Sequence, residues 1–345
     1  MIDCESPTMQ SRQEHDSLDQ GTAGPAIDIA LAVFNGESYL EPLIESVFAQ
    51  TRTDFILSIC DDGSTDATLE IVAAAARAHP GRVRLFACDG HVGPAANFSR
   101  LLARLDGDIT LLCDQDDLWL SDKVETTVRA MARLEAQWGA ATPLLVHTDL
   151  SVVASDLRMI DPSLARYQRL DPASSLLRQL LLGNVVTGCT LAMNRALRER
   201  VLPVPAQASM HDHWIALVAS VLGRTAYVPR ATLLYRQHDG NVIGAAGWSM
   251  RAIARRVRQT LLDDTKLRVL QRYSAQARIL VARHGDEMAP RERDAAQAVA
   301  GLWGRSRAMR LWLLLRHRLG LPGAVRTLAT LAALLRDPGA GTDSG

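Results

Sequence analysis

IDIALAVF, residues 27–34, is an apolar run of strand length that stops at the polar turn Asn35-Gly36-Glu37. Its apolar residues are continuous rather than alternating, the pattern of a strand covered on both faces. The pattern returns in FILSIC (55–60), VRLFAC (83–88) and DITLLC (108–113), each followed by a helix-length amphipathic stretch. Strands alternating with helices predict a mostly parallel sheet with helices on both faces, an α/β fold that is doubly wound in its N-terminal half. Helix-start signals support the boundaries: Ser64-Thr65-Asp66 precedes TLEIVAAAARAH, and Ser121-Asp122 precedes KVETTVRAMARLEAQW.

Further along, regularity weakens after LLVHTDLSVV (144–153) and returns with GCTLAMN (188–194) and a helix opening near His211. The extended run RTAYVPRATLLYRQH closes the domain near residue 245. The chain thus divides into a tail (1–25), an α/β domain (26–245) and an Arg-rich helical region (246–345). The tail is polar and acidic with no apolar segment behind a basic start, so it reads as disordered rather than as a signal peptide. The helical region ends in LWLLLRHRLGLPGAVRTLATLAALLR (311–336), whose apolar stretches are broken by Arg316, His317, Arg318, Gly320, Pro322, Gly323 and Arg326. No run reaches the roughly 20 residues that a spanning helix needs. Two readings stay open: a basic amphipathic segment lying on an anionic membrane, or a helical hairpin packed on protein.

Hydrophobic residues make up 48% of the 345 and charged residues 22%, and Lys+Arg 38 balance Asp+Glu 38. This is globular usage, and overall charge gives no support to a nucleic-acid partner. Cys4, Cys60, Cys88, Cys113 and Cys189 form no CxxC pair. They read as buried reduced thiols, which predicts a cytoplasmic protein, with any membrane contact peripheral and on the inner face.

Polar clusters follow the second and fourth strands, and in open α/β sheets ligands bind beyond the carboxyl ends of strands. Cys113-Asp114-Gln115-Asp116-Asp117 crowds three carboxylates there. Like charges this close repel, and a divalent metal (Mg or Mn) with a nucleotide diphosphate would relieve the repulsion. Alternate residues of an extended segment point the same way, so Asp114 and Asp116 can serve one ligand. The plainer alternative is a helix N-terminus capped by Asp117. Asp61-Asp62-Gly63-Ser64-Thr65-Asp66 is an ordinary turn and cap by composition, but its carboxylates can accept from a base N–H or a ribose hydroxyl. Phe34-Asn35 closes the first strand in a polar loop that is by itself an ordinary turn and can approach a base or ribose. In Met210-His211-Asp212-His213-Trp214, Asp212 beside a Trp wall can act as general base toward an acceptor hydroxyl, or be a simple N-cap. Tyr235-Arg236-Gln237-His238 ends the last strand; Arg236 can neutralise a diphosphate and His238 can ligate the metal, though a lone His at a strand end is usually structural.

Taken together, AVFNGESYLEPLIESVFAQT, ICDDGSTDATLEIV, DGHVGPAANFSRLL and LLCDQDDLWLSDKVE resemble the family 2 glycosyltransferases of GT-A fold. GNVVTGCTLAMNRAL, MHDHWIALVAS and LLYRQHDGNVIGA resemble its rhamnosyltransferase branch, which acts in bacterial surface polysaccharide assembly. The resemblance covers residues 27 to 245. It implies inverting transfer from a nucleotide-sugar donor, dTDP-L-rhamnose, to a glycan or lipid-linked glycan acceptor. By motif position it implies Asp62, Phe34 and Asn35 at the nucleotide, Asp114 and Asp116 as the DxD pair, and Asp212 as the base. His213 departs from the aromatic residue common before the Trp, which bears on acceptor preference. Two other readings are a nucleotidyltransferase, which predicts a Gly- and Lys/Arg-rich phosphate loop where VFNGES stands, and an inactive glycan-binding scaffold, which predicts damaged carboxylates.

Overall fold

A computed structural model describes residues 24–86, 88, 90–173, 176–238, 265–320 and 324–336. The predicted tail, apart from residues 24 and 25, and the predicted boundary at 245 lie outside these residues. The strands are β1 (Ile27–Val33), β2 (Phe55–Asp61), β3 (Val83–Phe86), β4 (Ile109–Asp114), β5 (Leu118–Trp119), β6 (Leu144–Ala154), β7 (Met159–Asp161), β8 (Leu191–Asn194) and β9 (Arg224–Gln237). The helices are α1 (Leu40–Phe48), α2 (Thr68–Ala78), α3 (Pro94–Leu102), α4 (Lys123–Trp138), α5 (Leu164–Gln168), α6 (Leu176–Leu180), α7 (Arg195–Val201), α8 (His211–Leu222), α9 (Thr265–His284), α10 (Pro290–Ala300), α11 (Arg307–Arg316) and α12 (Ala324–Leu334).

One sheet runs in the order β3-β2-β1-β4-β8-β6-β9-β5, with β7 beside β6. The β3-β2-β1-β4 half is parallel as the sequence predicts. The second half is mixed: β8 lies antiparallel between β4 and β6, β6 and β9 are parallel, and β5 is antiparallel to β9. The continuous apolar runs are explained by two covered faces. Ile29, Leu31, Leu57 and Leu111 pack with α1, α2 and α4, while Ala30, Cys60 and Leu112 turn toward α3, α7 and α8.

The C-terminal helices share that second core. Leu270, Ala277 and Leu280 of α9 and Ala296 and Val299 of α10 belong to the same buried cluster as Trp214, Leu217 and Val218 of α8. Gln276 Oε1 accepts from the Ser209 N–H at 2.8 Å, so α9 also braces the turn that leads into α8. Among the described residues, no helix is long and apolar enough to cross a membrane.

The thiol expectation holds for Cys113 and Cys189, which are free and buried. It fails for Cys60 and Cys88, which form a disulfide. Twenty-eight residues separate them, a spacing with no motif signal; the parallel pairing of β2 with β3 brings them together.

Candidate active site

Register sets the site. Val33 pairs with Asp61 and Ala32 with Asp114, so the acidic ends of β2 and β4 flank the end of β1. A cleft of about 390 Å³ opens there, lined among others by Phe34, Asp62, His91, Asp114, Asp116, Asp212 and His238. Asp62, the DxD pair and Asp212, far apart in the chain, meet in one space.

Phe34 is held from the DxD side. Its N–H donates to Gln115 Oε1 at 2.8 Å, and Gln115 Nε2 donates back to the Phe34 carbonyl at 2.9 Å. The Phe34 ring lies 4.2 Å from the His91 ring, making an exposed aromatic platform. Asp62 is buried and holds the adjoining loop: its carboxylate accepts from the Val92 and Gly93 N–H groups at 2.9 and 2.8 Å, with His91 Nδ1 at 2.9 Å. Asn35 is not part of the cleft lining. Its Oδ1 accepts from the Thr65 N–H at 2.9 Å, its own N–H donates to Ser64 Oγ at 2.8 Å, and its φ of 46° is left-handed, so it ties the β1 turn to the β2 turn.

Asp116 and His238 face each other, Oδ2 to Nε2, at 2.9 Å. Arg236 lies behind them rather than on the wall. Its Nε donates to the Asp116 carbonyl at 3.3 Å and its Nη1 to the Ser155 carbonyl at 3.1 Å, while the guanidinium covers the Tyr39 ring. Burial, then the charges of Asp116 and Asp212, push the Asp114 carboxyl up to about 7, against the pull of Lys123.

A second acidic set lies deeper. Ligand atoms of Asp114, Asp117 and Cys189 converge within 4.8 Å. Asp117 is fully buried and Leu118–Trp119 after it is a strand, so it caps no helix. Burial pushes both the Asp117 carboxyl and the Cys189 thiol up, and Lys123 supplies the cation there. Its Nζ donates to the Cys189 carbonyl at 2.9 Å and sits over the Trp119 ring. Divalent Mg or Mn prefers oxygen and imidazole donors to a protonated thiol. On the cleft side, the facing Asp116 oxygen and His238 nitrogen are donors of that kind.

Asp212 stands in the first turn of α8. Burial raises its carboxyl to about 6, against the hydrogen bonds of the His213 and Gly188 N–H groups, at 2.6 and 3.1 Å, and of the Asn184 side chain. The Trp wall does not form: Trp214 is fully buried and donates through Nε1 to the Val201 carbonyl at 2.8 Å. His213 also turns inward, with Nε2 2.7 Å from the Leu180 carbonyl and its ring edge-on to Tyr273. Residues i and i+2 of a helix do not share a face, so Asp212 in the cleft requires Trp214 to leave it. The neighbour that does line the cleft is His211, stacked on Phe98 with ring centroids 3.9 Å apart; burial lowers it to about 3, so it is neutral.

Against solved structures, residues 1–349 of S. aureus TarS in complex with UDP-GlcNAc superpose with a TM-score of 0.54 at 14% identity, covering 90% of this chain and 89% of that one. The shared fold is of GT-A architecture. Residues 28–172 match the model of glycosyl transferase family 2, and with the relatives below this match marks the chain as a glycosyltransferase. Its relatives include the dTDP-rhamnosyl transferase RfbG of Shigella flexneri, 26% identical over 62% of this chain and 74% of that protein. An uncharacterized glycosyltransferase of Haemophilus influenzae is 36% identical over 31% of this chain and 42% of its own length.

Proposed function

We propose that this enzyme transfers a sugar with inversion from a nucleoside diphosphate donor, dTDP-L-rhamnose, to a glycan or lipid-linked glycan acceptor in cell-surface polysaccharide synthesis. The observation that carries the reading is a raised carboxylate, Asp212, in the same cleft as the Asp116–His238 pair. The rhamnose donor is supported by the similarity to RfbG and by the motif resemblance.

In this reading the Phe34–His91 platform stacks the base, and Asp62 and Asn35 shape its surroundings. Asp114 meets the donor beside the diphosphate, and Arg236 adds positive charge from behind the Asp116 turn. A divalent cation, Mg or Mn, held by Asp116 and His238 would stabilise charge on the departing diphosphate. Asp212 accepts the proton of the acceptor hydroxyl as that oxygen bonds to the anomeric carbon. The carbon–phosphate oxygen bond breaks on the opposite face, so one carboxylate suffices. The enzyme works at the cytoplasmic face of the membrane, with its C-terminal helices turned toward the lipid.

Calorimetric titration with dTDP, UDP and GDP, with and without Mn²⁺, tests the donor side. Metal-dependent preference for dTDP is expected. Preference for UDP or GDP would remove rhamnose, and no nucleotide binding would remove the reading.

A further inference from the structure

The helical region carries a surface that the cleft chemistry leaves unused. Helix α11 is seated through Arg310 and Leu314, both buried. The Arg310 guanidinium donates to the Leu334 and Arg336 carbonyls at 3.0 and 2.9 Å and covers the Trp303 ring. Opposite this seam, Met309, Trp312 and Leu315 are 40%, 50% and 79% exposed. With 3.6 residues per turn, these three and Arg316 fall on one arc facing away from 310 and 314. Single exposed apolar residues need no explanation, but a contiguous stripe marks an interaction surface.

Charge identifies the partner. Residues 301–320 contain Arg305, Arg307, Arg310, Arg316 and Arg318 and no Asp or Glu. All but Arg310 are exposed. The Arg316 guanidinium lies 5.2 Å from the Trp312 ring centroid, joining cation to stripe. Alongside runs a groove of about 360 Å³, walled by Arg305, Arg316 and His317, with Asp294 and Gln297 on its far side. Among the described residues that line it, Asp294 is the one carboxylate, and it leaves the cationic wall in excess. A second copy meeting this face symmetrically would oppose arginine with arginine. A bilayer rich in anionic phosphate headgroups meets both the apolar stripe and its rim, and a ten-residue helix lies in the interface rather than spanning it.

We propose that the outer face of α11 docks on an anionic lipid surface. Trp312 and Leu315 enter the headgroup–acyl boundary, and the exposed arginines engage lipid phosphates. The inference deepens the membrane part of the reading above and does not depend on the transfer chemistry.

The test is co-sedimentation of the full chain with phosphatidylcholine vesicles, with and without phosphatidylglycerol. Binding is expected only with phosphatidylglycerol, weakening as salt rises. Arg316→Glu should weaken it about fivefold or more, the effect expected of one basic residue near an anionic surface. Trp312→Glu and Leu315→Glu should abolish it, with melting temperature and dTDP titration unchanged. Loss of dTDP binding alone would strike the donor reading, not this one. Equal binding by all variants, no binding to either vesicle, or a dimer in solution that Trp312→Glu dissociates would each overturn the assignment.

Discussion

His238 Nε2 lies 2.9 Å from Asp116 Oδ2, joining the end of the last sheet strand to the acidic turn after β4 across 122 residues. A carboxylate and an imidazole that converge from separate elements form a ligand pair only if both are needed together. His238→Ala and Asp116→Ala should each weaken dTDP binding roughly tenfold or more with Mn²⁺ present, and little without it. Calorimetry with and without the ion decides. Equal losses in both conditions would make the pair a structural hydrogen bond.

Asp212 gives two linked expectations. Asp212→Asn should lower kcat by about 10²–10⁴-fold, the usual worth of a general base, while leaving nucleotide binding intact. Only the ionised carboxylate accepts a proton, and burial places its pKa at about 6. Wild-type transfer should therefore decline as pH falls through that value, and full activity at lower pH would remove Asp212 from the role. The stability sign runs the other way. The folded pKa lies above the ordinary value, so this group's contribution is complete below about pH 4 and is lost as pH rises through about 6. Asp212→Asn should raise the melting temperature at pH 8 relative to wild type, by an amount worth at most ~3 kcal/mol, and not at acid pH.

The fold was legible because IDIALAVF, FILSIC and DITLLC are buried on both faces, and burial on both faces writes itself as an unbroken apolar run, while VRLFAC is the edge strand and leaves Arg84 and Leu85 exposed. The second half was harder to read. Strand β8 is only Leu191–Asn194, preceded by a single turn of 3-10 helix at Gly188–Thr190, and nothing local says that it enters antiparallel between β4 and β6. The acidic clusters were visible as residues crowding strand ends. Their second partners were not: Gln115, which clamps Phe34, and Lys123, which faces the buried carboxylates, act through side-chain directions that sequence spacing does not encode. Trp214 follows Asp212 by only two residues, but at a helix start that spacing turns it to another face, away from the cleft.

Gln115 sits between the two Asp residues of the DxD and holds both polar backbone groups of Phe34. A Cβ added at Gly36 would come within 2.9 Å of Gln115 Oε1 and displace it. Gln115→Ala and Gly36→Ala should therefore loosen the Phe34 platform in the same way, weakening dTDP binding equally with and without Mn²⁺. Titrations matching the Asp116→Ala pattern would contradict this.

Lys123 is buried beside three groups that would be acidic in water. It donates to the Cys189 carbonyl and Thr232 Oγ1, at 2.9 and 3.4 Å, and its charge acts on Asp114, Asp117 and Cys189. Replacing it with methionine keeps the volume but leaves those groups with no buried cation. Breaking such an arrangement from one side typically costs ~3–5 kcal/mol. Lys123→Met should lose stability on that scale in denaturant unfolding. Asp117→Asn should lose less, because burial already disfavours its ionised form. The decisive quantity is the coupling. If Lys123 offsets charge at this site, Lys123→Met should cost less in the Asp117→Asn background than alone, whereas additive losses would mean that its two hydrogen bonds and its contact with Trp119 account for its burial.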